Sequence, residues 1–439
     1  MAGFISGTTD LDALLNLRNG LPKRADVGFV TGTTDISNTY ADLDDSEWFE
    51  SGPTTSFVSV TTDVGSLFAK IETAITPGSL WTIGRNTSSG ALGDGTLINR
   101  SSFVQTIAGG TNWKFTGSAT DNGMGIKTDG TLWAWGLNDR GQVADNTIVN
   151  KSSPVQTIAG GTNWKRAGGG TSNGIFAAVK TDGTAWSWGE ALEGGLGDNS
   201  LLNKSSPVQL AGGGTNWKQA LSGYRGGVGL KTDGTVWCWG RGLEGQLGNN
   251  TAVTVSSPVQ TITGGTNWKF VAGGGVFFNA AIKTDGTLWL WGINGFGSLG
   301  DNTVIAKSSP VQTISGGTNW KFVAIGAENV AAVKTDGTLW CWGANNARGI
   351  GDNTIIDKSS PVQTFAGGTN WLKSAKAHAN SSGIKTDRTL WVWGSQTTLI
   401  PKLGTNDVLN YITPVQVFNG GTTWSVNRGS NGLSLTIKT

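Results

Sequence analysis

The sequence predicts an all-β fold: a seven-bladed β-propeller of four-stranded blades, closed by a two-plus-two strand clasp, with a small N-terminal extension. Three observations predict it: a repeat with a step of about 52 residues, four short apolar runs in each copy, and complementary half-copies at the two ends. The propeller is expected over residues 74–439 and the extension over residues 1–73.

The repeat explains the composition. The 439 residues include 69 glycines and 21 tryptophans but three tyrosines and one histidine. Lys-Thr-Asp-Gly-Thr starts at Lys127, Lys180, Lys231, Lys283 and Lys334, and Lys385 opens a copy with Arg388 in place of glycine. A tryptophan follows each, from Trp133 to Trp391, and Trp81 precedes the series. A second series, in Gly-Gly-Thr-Asn-Trp and its variants, runs from Trp113 to Trp424. A third motif, Pro-Val-Gln, recurs from Pro154 to Pro414, with Phe103 replacing the proline once. With the second tryptophan of each Trp-x-Trp-Gly, from Trp135 to Trp393, only Trp48 stands outside the repeat.

Each copy reads as four strands, A to D. Between Phe322 and Val362 they are Lys-Phe-Val-Ala, Val-Ala-Ala-Val-Lys-Thr, Thr-Leu-Trp-Cys-Trp-Gly and Ser-Pro-Val-Gln-Thr. Asp336-Gly337 between B and C is a hairpin signal. The near-continuous apolar runs suit strands covered on both faces, and no 3.6-residue period competes. The first repeat material, from Ser79, supplies only C and D, while the last, ending Leu433–Thr439, supplies only A and B. Together they make a composite seventh blade beside six whole ones, which leaves no open sheet edge in the ring.

Asp-Gly-x-Leu-Trp-x-Trp-Gly, followed by Asn-x-x-Gly-x-Leu-Gly (Asn294 to Gly300) and a Pro-Val strand, resembles the repeat of the regulator of chromosome condensation family. The resemblance covers about residues 75–439 and implies a seven-bladed propeller that binds other proteins. The family's histidine before strand B is replaced here by Asn122, Ile175, Gly226, Phe278, Asn329, Asn380 and Leu433. Nucleotide exchange and chromatin binding are therefore not carried over, since fold does not fix function.

Alternating strand directions put the B–C and D–A turns on one face of the disc and the A–B and C–D loops on the other. The turns are nearly identical in every copy; the loops differ. Loops on a rigid scaffold commonly carry recognition, and aromatic and arginine side chains dominate binding hot spots. The candidate partner-binding residues are Arg140, Glu193, Tyr224, Arg225, Glu244, Phe277, Phe278, Phe296, Glu328, Arg348 and His378. The competing readings are loops that simply drift, or aromatics that plug the central channel. The repeat lysines, offset by the repeat aspartates, are expected to form a solvated basic rim.

Little in the sequence suggests chemistry. The net charge of +2 drives no binding to nucleic acid or anionic membrane, and no run approaches a membrane span. No signal peptide opens the chain. His378 has no partner series, and Cys238 and Cys341 hold equivalent packing positions in blades two apart. CxxC, HExxH, P-loop and calcium-loop motifs are missing, so no catalytic residue, metal or cofactor is assigned. Leu-Gly-Asp-Asn-Thr (Leu299 to Thr303) and its copies read as Asx turns.

The extension carries its own duplication, Gly3–Asp10 and Gly28–Asp35, and an acidic stretch from Ala41 to Glu50. Asp10 reads as the N-cap of a helix Leu11–Leu17, and Val64–Thr73 as a second helix. Gly-Thr-Thr-Asp-Leu-Asp-x-Leu-Leu resembles the N-terminal segments of tailed-phage structural proteins. That resemblance implies an attachment segment, with Phe4, Asp10, Leu11, Phe29 and Asp35 as its docking residues. The broken B–C hairpin of the composite blade, with Thr439 expected near Thr76 to Gly78, is what would make it leave the disc opposite the variable loops. The expectation is a non-enzymatic virion protein, assembled in the host cytoplasm. It would be held on capsid, neck or tail by residues 1–73 and meet a host receptor or neighbouring structural protein through its loops. The alternative is a soluble cellular interaction propeller, a scaffold or inhibitor; a glycan-active enzyme ranks third.

Overall fold

The computed structural model describes residues 77–438, except 87–88, 170–173, 264, 274–276, 316, 377–379, 397–402, 406, 408, 418–422 and 430–432. The chain divides into two units, Met1–Ile75 and Thr76–Thr439. The two expected N-terminal helices, the attachment residues Phe4, Asp10, Leu11, Phe29 and Asp35, and His378 lie outside the described residues.

Seven four-stranded antiparallel sheets follow one another. In blade 3 the strands are A Trp217–Ser222, B Gly226–Lys231, C Val236–Gly240 and D Val255–Gln260. Blades 1, 2, 4, 5 and 6 begin at Trp113, Trp164, Trp268, Trp320 and Trp371 and repeat that order. The A strands of neighbouring blades lie against each other, so A is innermost and D forms the outer edge. Blade 7 is the expected composite: A Trp424–Gly429, B Leu433–Lys438, C Ser79–Gly84 and D Arg100–Gln105. The clasp pairs six residues, from Ser79 opposite Lys438 to Gly84 opposite Leu433.

Backbone hydrogen bonds separate the two faces as the alternation requires. Thr128 N donates to Asn112 O (2.8 Å) and Trp164 N to Gly130 O (3.0 Å), tying each B–C turn to the D–A connections beside it. Arg241 N donates to Arg225 O and Ile293 N to Phe277 O, both at 2.9 Å, tying C–D loops to A–B loops on the opposite face. The Asp-Gly turn requires its glycine. Gly130 has φ of +79°, and a Cβ there would lie 2.0 Å from Thr162 O. In blade 6, Arg388 takes this left-handed position at φ +64°, where an L side chain is strained.

Tryptophans hold blade to blade. In blade 1 Trp113 meets both Trp133 and Trp135 edge-on, with ring centroids 6.4 Å apart. Strand B makes room with Gly123 and Gly125, whose added Cβ atoms would lie 2.3 Å and 2.7 Å from the rings. The second tryptophan of strand C is a latch. Trp135 Nε1 donates to Ala91 O (2.8 Å) in the preceding blade's C–D loop, and Trp188, Trp239, Trp291, Trp342 and Trp393 repeat that bond around the ring. A buried indole N–H thereby finds an acceptor while its rings fill the inter-blade seam.

The repeat lysines are not the solvated rim expected from sequence. Lys127 Nζ sits 4.9 Å from the Trp113 ring and 4.3 Å from the Trp133 ring. Lys180, Lys231, Lys283, Lys334 and Lys385 repeat that double stack, and Lys438 joins Trp81 and Trp424. The cause is local: strand B ends between the tryptophans of A and C, and their negative ring faces attract the ammonium.

Candidate functional site

The loop face is built on one repeated device that two blades abandon. In blade 1, buried Asn138 staples the C–D loop: its amide donates to Asp145 Oδ1, Thr147 O and Val149 O, and its Oδ1 accepts from Val143 N. Asn294, Asn345 and Asn86 do the same in blades 4, 5 and 7. Asp145, Asp301 and Asp352 form the Asx turns read from sequence, each accepting from a threonine two residues on. Blades 2 and 3 carry Ala191 and Gly242 where the asparagine belongs, preceded by Glu190 and Arg241. Their loops are organised by charge instead.

That charge gathers Tyr224, Arg225, Glu193, Glu244 and Phe277 into one cluster. Tyr224 and Phe277, from the A–B loops of blades 3 and 4, meet edge to face with centroids 4.9 Å apart. The Arg225 guanidinium lies 4.9 Å from the Tyr224 ring, and that of Arg241 lies 5.2 Å from the Phe277 ring. Glu193 reaches from blade 2 to bind Arg225 Nη1 at 3.0 Å and Arg241 Nη1 at 2.8 Å. Glu244 takes the other edge of Arg241 at 2.6 Å and 2.9 Å and also accepts from Gln246. The Arg241 hydrogen bond, ahead of the opposing effect of burial, holds the Glu244 carboxyl below its ordinary value. Glu193 and Arg225 both sit at left-handed backbone, φ +56° and +57°. Strain of this kind persists where surrounding contacts over-determine it, commonly at functional positions.

Between these groups is a small pocket lined by Tyr224, Gly226, Gly227, Trp239, Arg241 and Phe277. Phe278 belongs to strand B of blade 4 and is 1% exposed, so it forms the floor and offers no contact surface. At the edge, Arg140 of blade 1 pairs with the nearly buried Glu190 of blade 2, and burial pushes the Glu190 carboxyl up despite that arginine. Phe296, Glu328 and Arg348 belong to blades 4 and 5, outside the cluster. Phe296 is 39% exposed, Glu328 uses its carbonyl to accept from Ser298, and Arg348 reaches Ser395 of blade 6. The A strands supply the axial interior, where Phe270 and Phe322 meet at 5.6 Å; Tyr224 and Phe277 stand on the loops. Sequence reasoning passed over Arg241, Glu190 and Gln246. Their signal was the lost asparagine of blades 2 and 3.

Cys238 and Cys341 are buried and free, and burial raises the Cys238 thiol to about 12, which leaves it protonated and inert. Among the described residues, no group of three His, Cys, Asp or Glu side chains is placed to hold a metal, and no helix is long and apolar enough to cross a membrane.

Comparison with known proteins agrees with the propeller fold. Residues 233–278 and 320–349 each match a model of the regulator of chromosome condensation (RCC1) repeat. The chain is 26% identical over 290 residues to the ultraviolet-B receptor UVR8 of Arabidopsis thaliana, covering 65% of each chain. It is 28% identical over 253 residues to the human E3 ubiquitin-protein ligase HERC2, spanning 55% of this chain but 5% of that one. Saccharomyces cerevisiae Prp20p, described with binding properties to Gsp1p and histones, superposes with a TM-score of 0.71 at 17% identity, over 83% of this chain and 92% of its own. Human WBSCR16 gives 0.71 at 17% identity over 82% and 100%. Two of the repeats match the RCC1 model, and the fold is a seven-bladed propeller.

Proposed function

We propose that this chain is a non-enzymatic interaction propeller whose partner docks on the loop face over blades 2 to 4. The observation that carries the reading is the Tyr224–Phe277 pair flanked by Arg225 and Arg241, residue types that dominate hot spots, where blades 2 and 3 give up the side-chain amide staple. Arginines already paired with Glu193 and Glu244 are pre-ordered, which lowers the entropy lost on docking. The same pairing disfavours the glycan-cleaving reading. That chemistry needs two carboxylates poised for acid and nucleophile or base work, and these are tied to a guanidinium.

The relatives are cellular proteins, and RCC1-like Prp20p is described as binding Gsp1p and histones. They favour the cellular interaction protein over the virion protein. The virion reading, with its attachment segment and its placement in a particle, rests on the text of residues 1–73 alone. Affinity capture with the full chain and with a Tyr224→Ala/Phe277→Ala variant tests the proposal. A protein retained by the first and lost by the second is the expected result. Identical captured sets would overturn it.

A further inference from the structure

The two faces of the disc carry opposite charge. The turn face collects the starts of strand A, the ends of strand B and the B–C turns. In blades 1 to 5 strand A opens Trp-Lys, giving a half-buried arc of Lys114, Lys165, Lys218, Lys269 and Lys321 on five successive blades. The stacked repeat lysines, from Lys127 to Lys385, and Lys438 and Arg388 share this face. Against these thirteen basic residues stand, among the described residues, six turn aspartates, Asp129 to Asp387, leaving +7. The loops and the starts of strand D carry ten basic and thirteen acidic side chains among the described residues, leaving −3. The small net charge of the whole chain hides this division.

We infer that the turn face is a second docking surface, independent of the loop cluster, and that it takes an acidic protein surface. The chemistry favours a polypeptide over a phosphate chain. The cations are discrete and interleaved with carboxylates that are already engaged: Asp129, Asp233 and Asp336 each accept from the threonine two residues on. A duplex presents one charge per about 1.7 Å and would meet those carboxylates wherever it lay, whereas spaced Glu and Asp side chains reach the lysines singly. The D–A connections also hold out aliphatic and aromatic side chains: Ile107, Ile158, Ile262, Ile314 and Phe365 are 54–66% exposed. Apolar groups beside complementary charge fit a protein interface.

The test measures binding of the full chain to poly-L-glutamate, to a 20-base-pair DNA duplex and to phosphatidylserine vesicles at equal salt. Poly-L-glutamate is expected to bind tightest, with an affinity that falls as salt rises. Lys114→Ser/Lys218→Ser/Lys321→Ser should weaken it by about tenfold, and the matching Lys→Arg triple should not. Asp129→Asn/Asp233→Asn/Asp336→Asn, which keeps the turn acceptor and adds positive charge, should tighten it, so the proposal remains testable if the serine triple folds poorly. Preference for DNA or vesicles, no binding of poly-L-glutamate, no response to either triple, or an equal loss on changing Lys151, Lys204 and Lys307 to serine would each overturn the proposal.

Discussion

The turn face and the loop face are made by the same four strands, yet one is uniform and the other individual. On the turn face blades 1 to 5 repeat one solution: an Asp-Gly hairpin, a lysine held between two indoles, and a backbone tie to the neighbouring blade. Blade 6 keeps it with Arg388 in the glycine position, and composite blade 7 keeps the stacked lysine, Lys438. On the loop face four blades keep an asparagine staple, Gln396 does the same work in blade 6, and blades 2 and 3 replace it with Glu190–Ala191 and Arg241–Gly242. Uniform contacts close the ring. A departure that introduces charge, strained backbone and paired aromatics marks a place with a different task.

Substitutions should separate the two kinds of contact. The largest loss is expected at the inter-blade latch. Trp342→Ala empties a fully buried indole site and strands Ser298 O, costing about 3–5 kcal/mol in thermal or denaturant unfolding. The half-exposed Trp340, which stacks on Lys334, should cost clearly less. Similar losses at both positions would break the distinction between latch and cap. On the loop face the order reverses. Tyr224→Ala and Phe277→Ala should each weaken partner binding by about 2 kcal/mol while melting shifts little.

Two smaller effects concern places where single blades depart from the repeat. Arg388→Gly restores the hairpin glycine and should raise stability by about 1 kcal/mol; a neutral or destabilising result would show the left-handed arginine to be relieved elsewhere. Lys376, buried on strand A of blade 6 beside Cys341 of blade 5, donates to Gly349 O. Desolvation holds its ammonium below the ordinary lysine value. The unfolded chain then binds the proton more tightly, so stability should rise with pH toward the unfolded value of about 10.4. Lys376→Met should remove that part of the slope, as urea unfolding between pH 7 and 10 would reveal.

Most of the architecture was legible because tryptophan, glycine and aspartate recur at fixed offsets, and each recurrence has a steric cause. The closure was legible in the complementary half-copies, and pairing of Leu80 with Ile437 and Trp81 with Thr436 realises it. The lysine stacks were missed because a charged residue at a strand end reads as solvated until the rings beside it are placed. The loop cluster was half legible. Tyr224, Arg225 and Phe277 stood out as unusual loop residues, but their convergence with Glu193 across three blades depends on distances no linear spacing encodes. Phe278 read as a loop aromatic beside Phe277 and proved to be floor, since one step along a strand turns a side chain to the other side.

Hydrogen exchange on the full chain, alone and with the protein that its loop face captures, tests the central claim most directly. Protection concentrated at residues 223–226, 241–246 and 277–279, with blades 5 and 6 unchanged, is the predicted pattern. Protection spread evenly around the seven blades, or centred on Asn345 to Arg348, would contradict it.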